Sequence, residues 1–190
     1  HIFIPYEEES KNARRRAIRY LVYRDRSRNE IIRYLNGKKF SADAVDETLI
    51  FLESNDYIND DRFAMQFGRS RIVNKKIGRL RLGLELRNKG LERKIVEETL
   101  NSLYEEYDEK KIAMSCAKKK LATYTSSNSE KDRRRIAKFL ERKGFPSDII
   151  YKVSTQLVPY APNNDLDPLS HLPNKSPEEL GSHTTKIIQG

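Results

Sequence analysis

Between residues 13 and 157 apolar side chains recur at spacings of three and four, broken only by short polar or glycine-bearing stretches. That is the pattern of helices with one buried face. The pattern also repeats. LNGKKF at 35–40, LRNKGL at 86–91 and LERKGF at 140–145 share a leucine, a lysine and a closing apolar residue. Offsets of 51 and 54 residues bring Leu35, Leu86 and Leu140 into register, together with Lys38, Lys89 and Lys143. The same offsets align Ile31, Leu82 and Ile136; Arg28, Arg79 and Arg133; Val45, Val96 and Ile150; and Leu52, Leu103 and Leu157. Agreement at this many apolar positions identifies a triplicated unit of about 50 residues.

Each unit predicts three helices. The first helices cover 17–23, 63–72 and 112–121, and the second cover 28–35, 79–86 and 131–140. The third begin after Ser41, near Glu92 and after Ser147. Ser27 and Glu30 have capping-box spacing. Gly90 and Gly144 stand where the second helix must stop, whereas the first unit has Lys39 there, with Gly37 two residues earlier, and predicts a looser stop. Leu80, Leu82, Leu84 and Leu86 alternate with polar residues and glycine at strand period. Register with the i,i+4 pairs Ile31/Leu35 and Ile136/Leu140 outweighs this alternation and makes the stretch a helix. The expected organisation is a lead-in at 1–12, three-helix repeats at 13–58, 59–107 and 108–157, and an appendage at 158–190. That last segment holds five of the seven prolines and no helical period, so an extended or disordered tail is expected. The fold class is all-α, an elongated array of three tandem three-helix repeats with a Pro-rich irregular C-terminal tail.

Charge sharpens the picture. Lys and Arg number 37 against 28 Asp and Glu, a formal net charge of +9. Residues 158–190 carry two lysines against four carboxylates, so the positive excess lies in the helical body. The single cysteine, Cys116, excludes a disulfide framework within the chain, and only His1 precedes residue 171 among the histidines, which argues against a His- or Cys-based metal site. No apolar run approaches the length of a bilayer span, and the opening stretch is too short for a signal peptide. A soluble, cytoplasmic, membrane-free protein is expected. The chain opens on His1 rather than methionine, so a few preceding residues are expected.

Catalytic patterns are missing, and no enzyme, cofactor or metal is expected. Gly78 and Gly83 have the spacing of a phosphate loop, but Leu84 and Glu85 follow instead of Lys and Ser or Thr. Asp60 and Asp61 read as the start of a helix, with Asp60 or Asn59 capping it. Cys116, near Ala113 and Ala117, reads as a buried thiol. Tyr20, Tyr23, Phe51, Phe63 and Phe67 fall at core-stripe positions.

The basic residues carry the functional signal. Arg69, Arg71, Lys75, Lys76, Arg79, Arg81, Arg87 and Lys89 lie within 21 residues that contain one acid, Glu85. Arg28, Lys131, Arg133 and Arg134 occupy the corresponding helices of the other units. Acids concentrate in the third helices (Asp43, Asp46, Glu47, Glu97, Glu98), so a positive stripe across the units is expected. Its complement is a polyanion or an acidic protein surface. With no base-reading code in the sequence, nucleic-acid contacts would be mainly to backbone, weak and salt-dependent. A general DNA-binding architectural protein and a scaffold for an acidic partner both fit these residues. No heptad zipper is present, and a monomer is expected.

One combination is more specific. SNDYINDDRFA at 54–64, FGRSR at 67–71 and GRLRLGLELRNKGL at 78–91 resemble the RecX family of recombinase regulators. Tyr57, Ile58, Asp60, Asp61, Phe63, Ala64, Arg71, Gly78, Glu85, Leu86, Lys89 and Gly90 occupy the family's ordered positions over a likeness spanning about 13–157. Lys39 in place of glycine, the TYTSSNS loop at 123–129 and the Pro-rich tail depart from it. The resemblance implies an elongated, curved body that lies in the groove of the RecA–DNA filament. There it would lower the recombinase's ATPase, strand-exchange and co-protease activities, and so modulate DNA repair, recombination and the SOS response. It makes the twelve basic residues of the preceding paragraph candidates for filament or DNA contact.

Overall fold

The computed structural model describes residues 6–125 and 129–160. All the regular structure among them is helical: α1 (Tyr6–Val22), α2 (Arg28–Gly37), α3 (Ala42–Ser54), α4 (Asp60–Lys75), α5 (Arg79–Asn88), α6 (Arg93–Glu106), α7 (Glu109–Leu121), α8 (Ser129–Arg142) and α9 (Ser147–Leu157). They group as three consecutive modules of three helices. The expected tail lies mostly outside the described residues, from 161 onward.

Each module closes its own core. Leu35, Leu86 and Leu140, the register leucines of the second helices, are completely buried. Loss of any of them to alanine would cost about 2–5 kcal/mol. A second register appears in the first helices. Ala13, Ala64 and Ala113 are fully buried, as are Ala17 and Ala117, with Gly68 at the equivalent position of α4. These small residues let each first helix pack closely on the third helix of its module. A β-carbon on Gly68 would stand 2.4 Å from Leu103 Cδ1. Leu82 and Leu86 are buried while Leu80 and Leu84 are exposed, as one face of a helix requires and alternation in a strand would not.

Three expectations change. Residues 6–12 of the expected lead-in belong to α1, which runs from Tyr6, while residues 1–5 lie outside the described residues. The acidic first turn of α1 fixes the start of α3, where Glu9 Oε1 accepts from Ser41 N at 2.8 Å and Oε2 from Ser41 Oγ at 3.0 Å. The first unit's stop is not looser either. Lys39 takes the left-handed conformation of Gly90 and Gly144, with φ of 63° against 76° and 80°. Its amide donates to Asn36 O at 2.9 Å, as Gly144 N does to Glu141 O at 2.8 Å. Finally, Tyr23 is 84% exposed just beyond α1 rather than in the core.

The modules meet at two joints of the same design. At the first, Ser27 Oγ, ahead of α2, donates to Lys89 O at the end of α5 (2.7 Å), and Lys89 Nζ donates to Glu30 Oε1 (2.9 Å). At the second, Gly78 N donates to Lys143 O (2.9 Å) and Leu80 N to Gly144 O (3.0 Å). Each time the start of one module's second helix abuts the left-handed corner of the next. A β-carbon on Gly90 would lie 1.9 Å from Asn29 Nδ2, and one on Gly144 would lie 2.4 Å from Arg81 N. Glycine is required at these corners because a neighbouring module presses on them. No module precedes the first one within the described residues, so Lys39 escapes that steric demand and bears only the conformational cost.

Candidate interface for an anionic partner

The twelve candidate cations occupy three kinds of site. Arg28, Arg79 and Arg133 form one register, in which each opens or follows the opening of a second helix and reaches the end of its own module's third helix. Arg28 Nε donates to Glu53 Oε1 at 2.8 Å. The Arg79 guanidinium lies 5.3 Å from the Tyr104 ring centroid. Arg133 Nη1 donates to Val158 O at 3.4 Å. Glu53, Tyr104 and Val158 are themselves separated by 51 and 54 residues. Arg28 and Arg133 thus clasp their own modules, while Arg79 also reaches into the next, where its Nε donates to Glu109 Oε2 at 2.7 Å.

A second set is paired with carboxylates. Arg69 Nη2 donates to Glu106 Oε2 at 2.8 Å, Lys89 pairs with Glu30, and Arg134 with Glu130. Arg71 and Arg81 share one acid, Glu85, with Arg71 Nε 2.7 Å from Oε2 and Arg81 Nε 3.2 Å from Oε1. The first of these is an ion pair whose angles fall outside hydrogen-bond geometry. Of these acids Glu106 lies on a third helix, whereas Glu30, Glu85 and Glu130 stand on the basic second helices themselves. The charge separation evident along the chain does not persist across the fold, and the uniform stripe it suggested breaks into clusters.

The third set keeps its charge. Lys75, Lys76 and Arg87 have no carboxylate partner among the described residues. Lys131 is exposed on α8 with a partner of its own. Lys75 and Lys76 end α4, where Lys76 adopts a left-handed cap with φ of 49°. Two contacts fix this turn against the third module: Lys143 Nζ donates to Lys75 O at 2.8 Å, and Cys116 Sγ lies 3.7 Å from Lys76 O. Burial pushes the Cys116 thiol above its ordinary pKa, while Lys143, Lys76 and Lys119 around it pull the other way. Arg81 Nη1 meanwhile donates to Arg142 O at 3.2 Å. Linked through these contacts, several of them to backbone carbonyls, Arg71, Arg81, Lys143, Lys75 and Lys76 gather about the second joint as a cationic cluster, in which Glu85 is shared by the two arginines. Positive charge at this density suits phosphates or a carboxylate-rich surface. Lys143 is legible along the chain as a register lysine, but its part in this cluster depends on the end of α8 meeting the end of α4.

The residues weighed for chemistry have structural roles. Asn59 Oδ1 caps α4 by accepting from Arg62 N at 2.9 Å. Asp60 Oδ1 accepts from Arg28 N at 2.8 Å, and burial raises its pKa. Gly83 lies within α5, buried against Leu100, so no phosphate loop forms there. No group of carboxylates, histidines and cysteines suited to a metal occurs among the described residues. No described helix is long and apolar enough to cross a membrane.

Comparison with known proteins matches residues 13–52, 59–100 and 107–153 to the models of the first, second and third three-helix domains of RecX. A regulatory protein RecX of Chlorobium phaeobacteroides is 34% identical over 151 residues, covering 80% of this chain and 97% of that protein. A regulatory protein RecX of Chromobacterium violaceum is 32% identical, covering 76% and 90%. The crystal structure of RecX from Lactobacillus salivarius superposes with a TM-score of 0.73 at 26% identity, covering 80% of this chain and 97% of that one.

Proposed function

Since the chain belongs to the RecX family of regulatory proteins, we propose that it is a non-enzymatic, cytoplasmic, monomeric regulator that binds the RecA–DNA filament and restrains RecA's ATPase, strand-exchange and co-protease activities. The supporting observation is the cationic cluster at the second joint, carried by modules that repeat one design. A tandem array meets a polymer of identical subunits with several weak, similar contacts. Linking such contacts raises effective concentration without any single strong site. Inhibition then needs no chemistry of its own; holding successive subunits in one arrangement opposes the motions that hydrolysis requires.

The contact set of this reading is Arg69, Arg71, Lys75, Lys76, Arg79, Arg81, Arg87, Lys89, Arg28, Lys131, Arg133 and Arg134. Within it Lys75, Lys76 and Arg87 carry the most weight, because their charge is not already satisfied. The test is DNA-dependent ATP hydrolysis by RecA with this protein present below stoichiometry. A reduced rate is expected, and an unchanged rate with folded protein overturns the reading. The alternative, a general DNA-binding architectural protein, predicts equal binding to naked and RecA-coated duplex.

A further inference from the structure

The third module holds a feature that the cationic cluster does not use. A groove of about 410 Å³ runs between α8 and α9 and continues to Tyr160. Tyr151 and Tyr160 line it, residues that are 63% and 61% exposed. The Arg133 guanidinium lies over Tyr160, with Cζ 3.6 Å from the ring centroid, and so covers one face of that ring. Arg134 and Lys138 line the α8 side. Arg134 is paired with Glu130, whereas Lys138 has no carboxylate partner among the described residues. Glu141 is the one carboxylate of the lining.

Exposed tyrosines beside cations call for an explanation on a helical surface. A structural role would bury the rings, and a purely phosphate-binding role would not need them. We propose that this groove binds single-stranded nucleic acid, with unstacked bases on the Tyr151 and Tyr160 rings and backbone phosphates toward Lys138 and Arg134. Base–aromatic stacking tolerates any sequence, and a cation stacked on the ring reinforces it. A duplex offers a free base face only at its ends, and the negative face of an aromatic ring repels the carboxylates of an acidic protein surface, so charge and ring geometry together favour the single strand. The proposal needs no recombinase and stands independently of the filament reading.

The experiment is fluorescence anisotropy of a labelled 20-nucleotide oligo-dT, a duplex of equal length and polyglutamate, with the full chain. Tyr151→Ala and Tyr160→Ala should each weaken oligo-dT binding roughly tenfold, while Tyr151→Phe keeps wild-type affinity. Lys138→Gln should lessen the slope of log affinity against log salt by about 0.7. Thermal melting of Tyr151→Ala should be unchanged and is its folding control; Tyr160→Ala also loses the Arg133 stack, so Tyr160→Phe, which keeps the ring, should keep both stability and affinity. No oligo-dT binding, or equal binding by the alanine variants, overturns the proposal. Duplex or polyglutamate bound as tightly with the same tyrosine dependence also overturns it, and reassigns the groove to duplex DNA or to an acidic protein.

Discussion

The Glu109 carboxylate, at the first residue of α7, holds the start of α5 one module upstream: Oε1 accepts from Arg79 N and Oε2 from Arg79 Nε, both at 2.7 Å. Asp60 does the same for Arg28 N across the first joint. A carboxylate that opens one module thus caps the second helix of the module before it, satisfying a backbone amide that has no partner within its helix.

Glu109 is almost fully buried, so Glu109→Ala should destabilise the protein by about 2–3 kcal/mol through loss of two charge-assisted hydrogen bonds. Urea unfolding followed by circular dichroism measures this, and Glu109→Gln should lose less because it still accepts from the amide. A loss below about 0.5 kcal/mol, roughly the effect of an ordinary surface substitution, would mean the clasp contributes little.

Lys39 and Gly144 share a backbone conformation but not a neighbourhood. Lys39→Gly should raise stability by about 0.5–1 kcal/mol, because glycine adopts positive φ without the side-chain penalty. Gly144→Ala should lower it by more than about 2 kcal/mol, since its β-carbon would meet the Arg81 backbone. Thermal melts of the two variants should therefore shift in opposite directions.

Glu30 supplies a pH dependence. Burial pushes its pKa up, but hydrogen bonds from Arg24, Lys89 and Ser27 N outweigh burial and bring it down to about 2. A carboxyl depressed in the folded state stabilises it fully above the unfolded value of 4.5. That contribution fades as pH falls toward 2. Allowing for solvent screening at this partly open site, it amounts to about 1–2 kcal/mol. The stability gap between wild type and Glu30→Gln should narrow over that interval. A gap constant from about pH 6 to about pH 2 would show that the network does not depress this group.

Free and paired cations should separate function from stability. Lys75→Glu with Lys76→Glu should weaken filament binding at least tenfold and leave the melting temperature nearly unchanged, because neither side chain has a carboxylate to lose. Arg79→Ala should instead reduce stability by roughly 1–3 kcal/mol, having removed the partner of a buried carboxylate. Co-sedimentation with RecA filaments and thermal melting on the same samples distinguish the two.

The apolar register made much of this architecture readable in advance. Ile31, Leu82 and Ile136 with Leu35, Leu86 and Leu140 were enough to place three helical modules and to favour a helix over the alternation at Leu80–Leu86. The start of α1 was less legible, because YEEES carries no apolar stripe. Its support comes from Glu9 bonding Ser41, 32 residues away. Lys39 was misleading for a related reason: the chain shows which residue is absent from the corner, but not whether a neighbour presses on it.

Charge followed a different rule. That the body is basic, and that its cations recur with the repeat, follows from composition and spacing alone, and the apolar period that places the helices is likewise local in sequence. Which cations remain available was decided only by tertiary structure. Glu53, Glu85, Glu106 and Glu109 neutralise Arg28, Arg71, Arg69 and Arg79 across helices, and Lys143 reaches Lys75 across 68 residues. Coulomb attraction acts through distances in space, and helix packing sets those distances, not position along the chain.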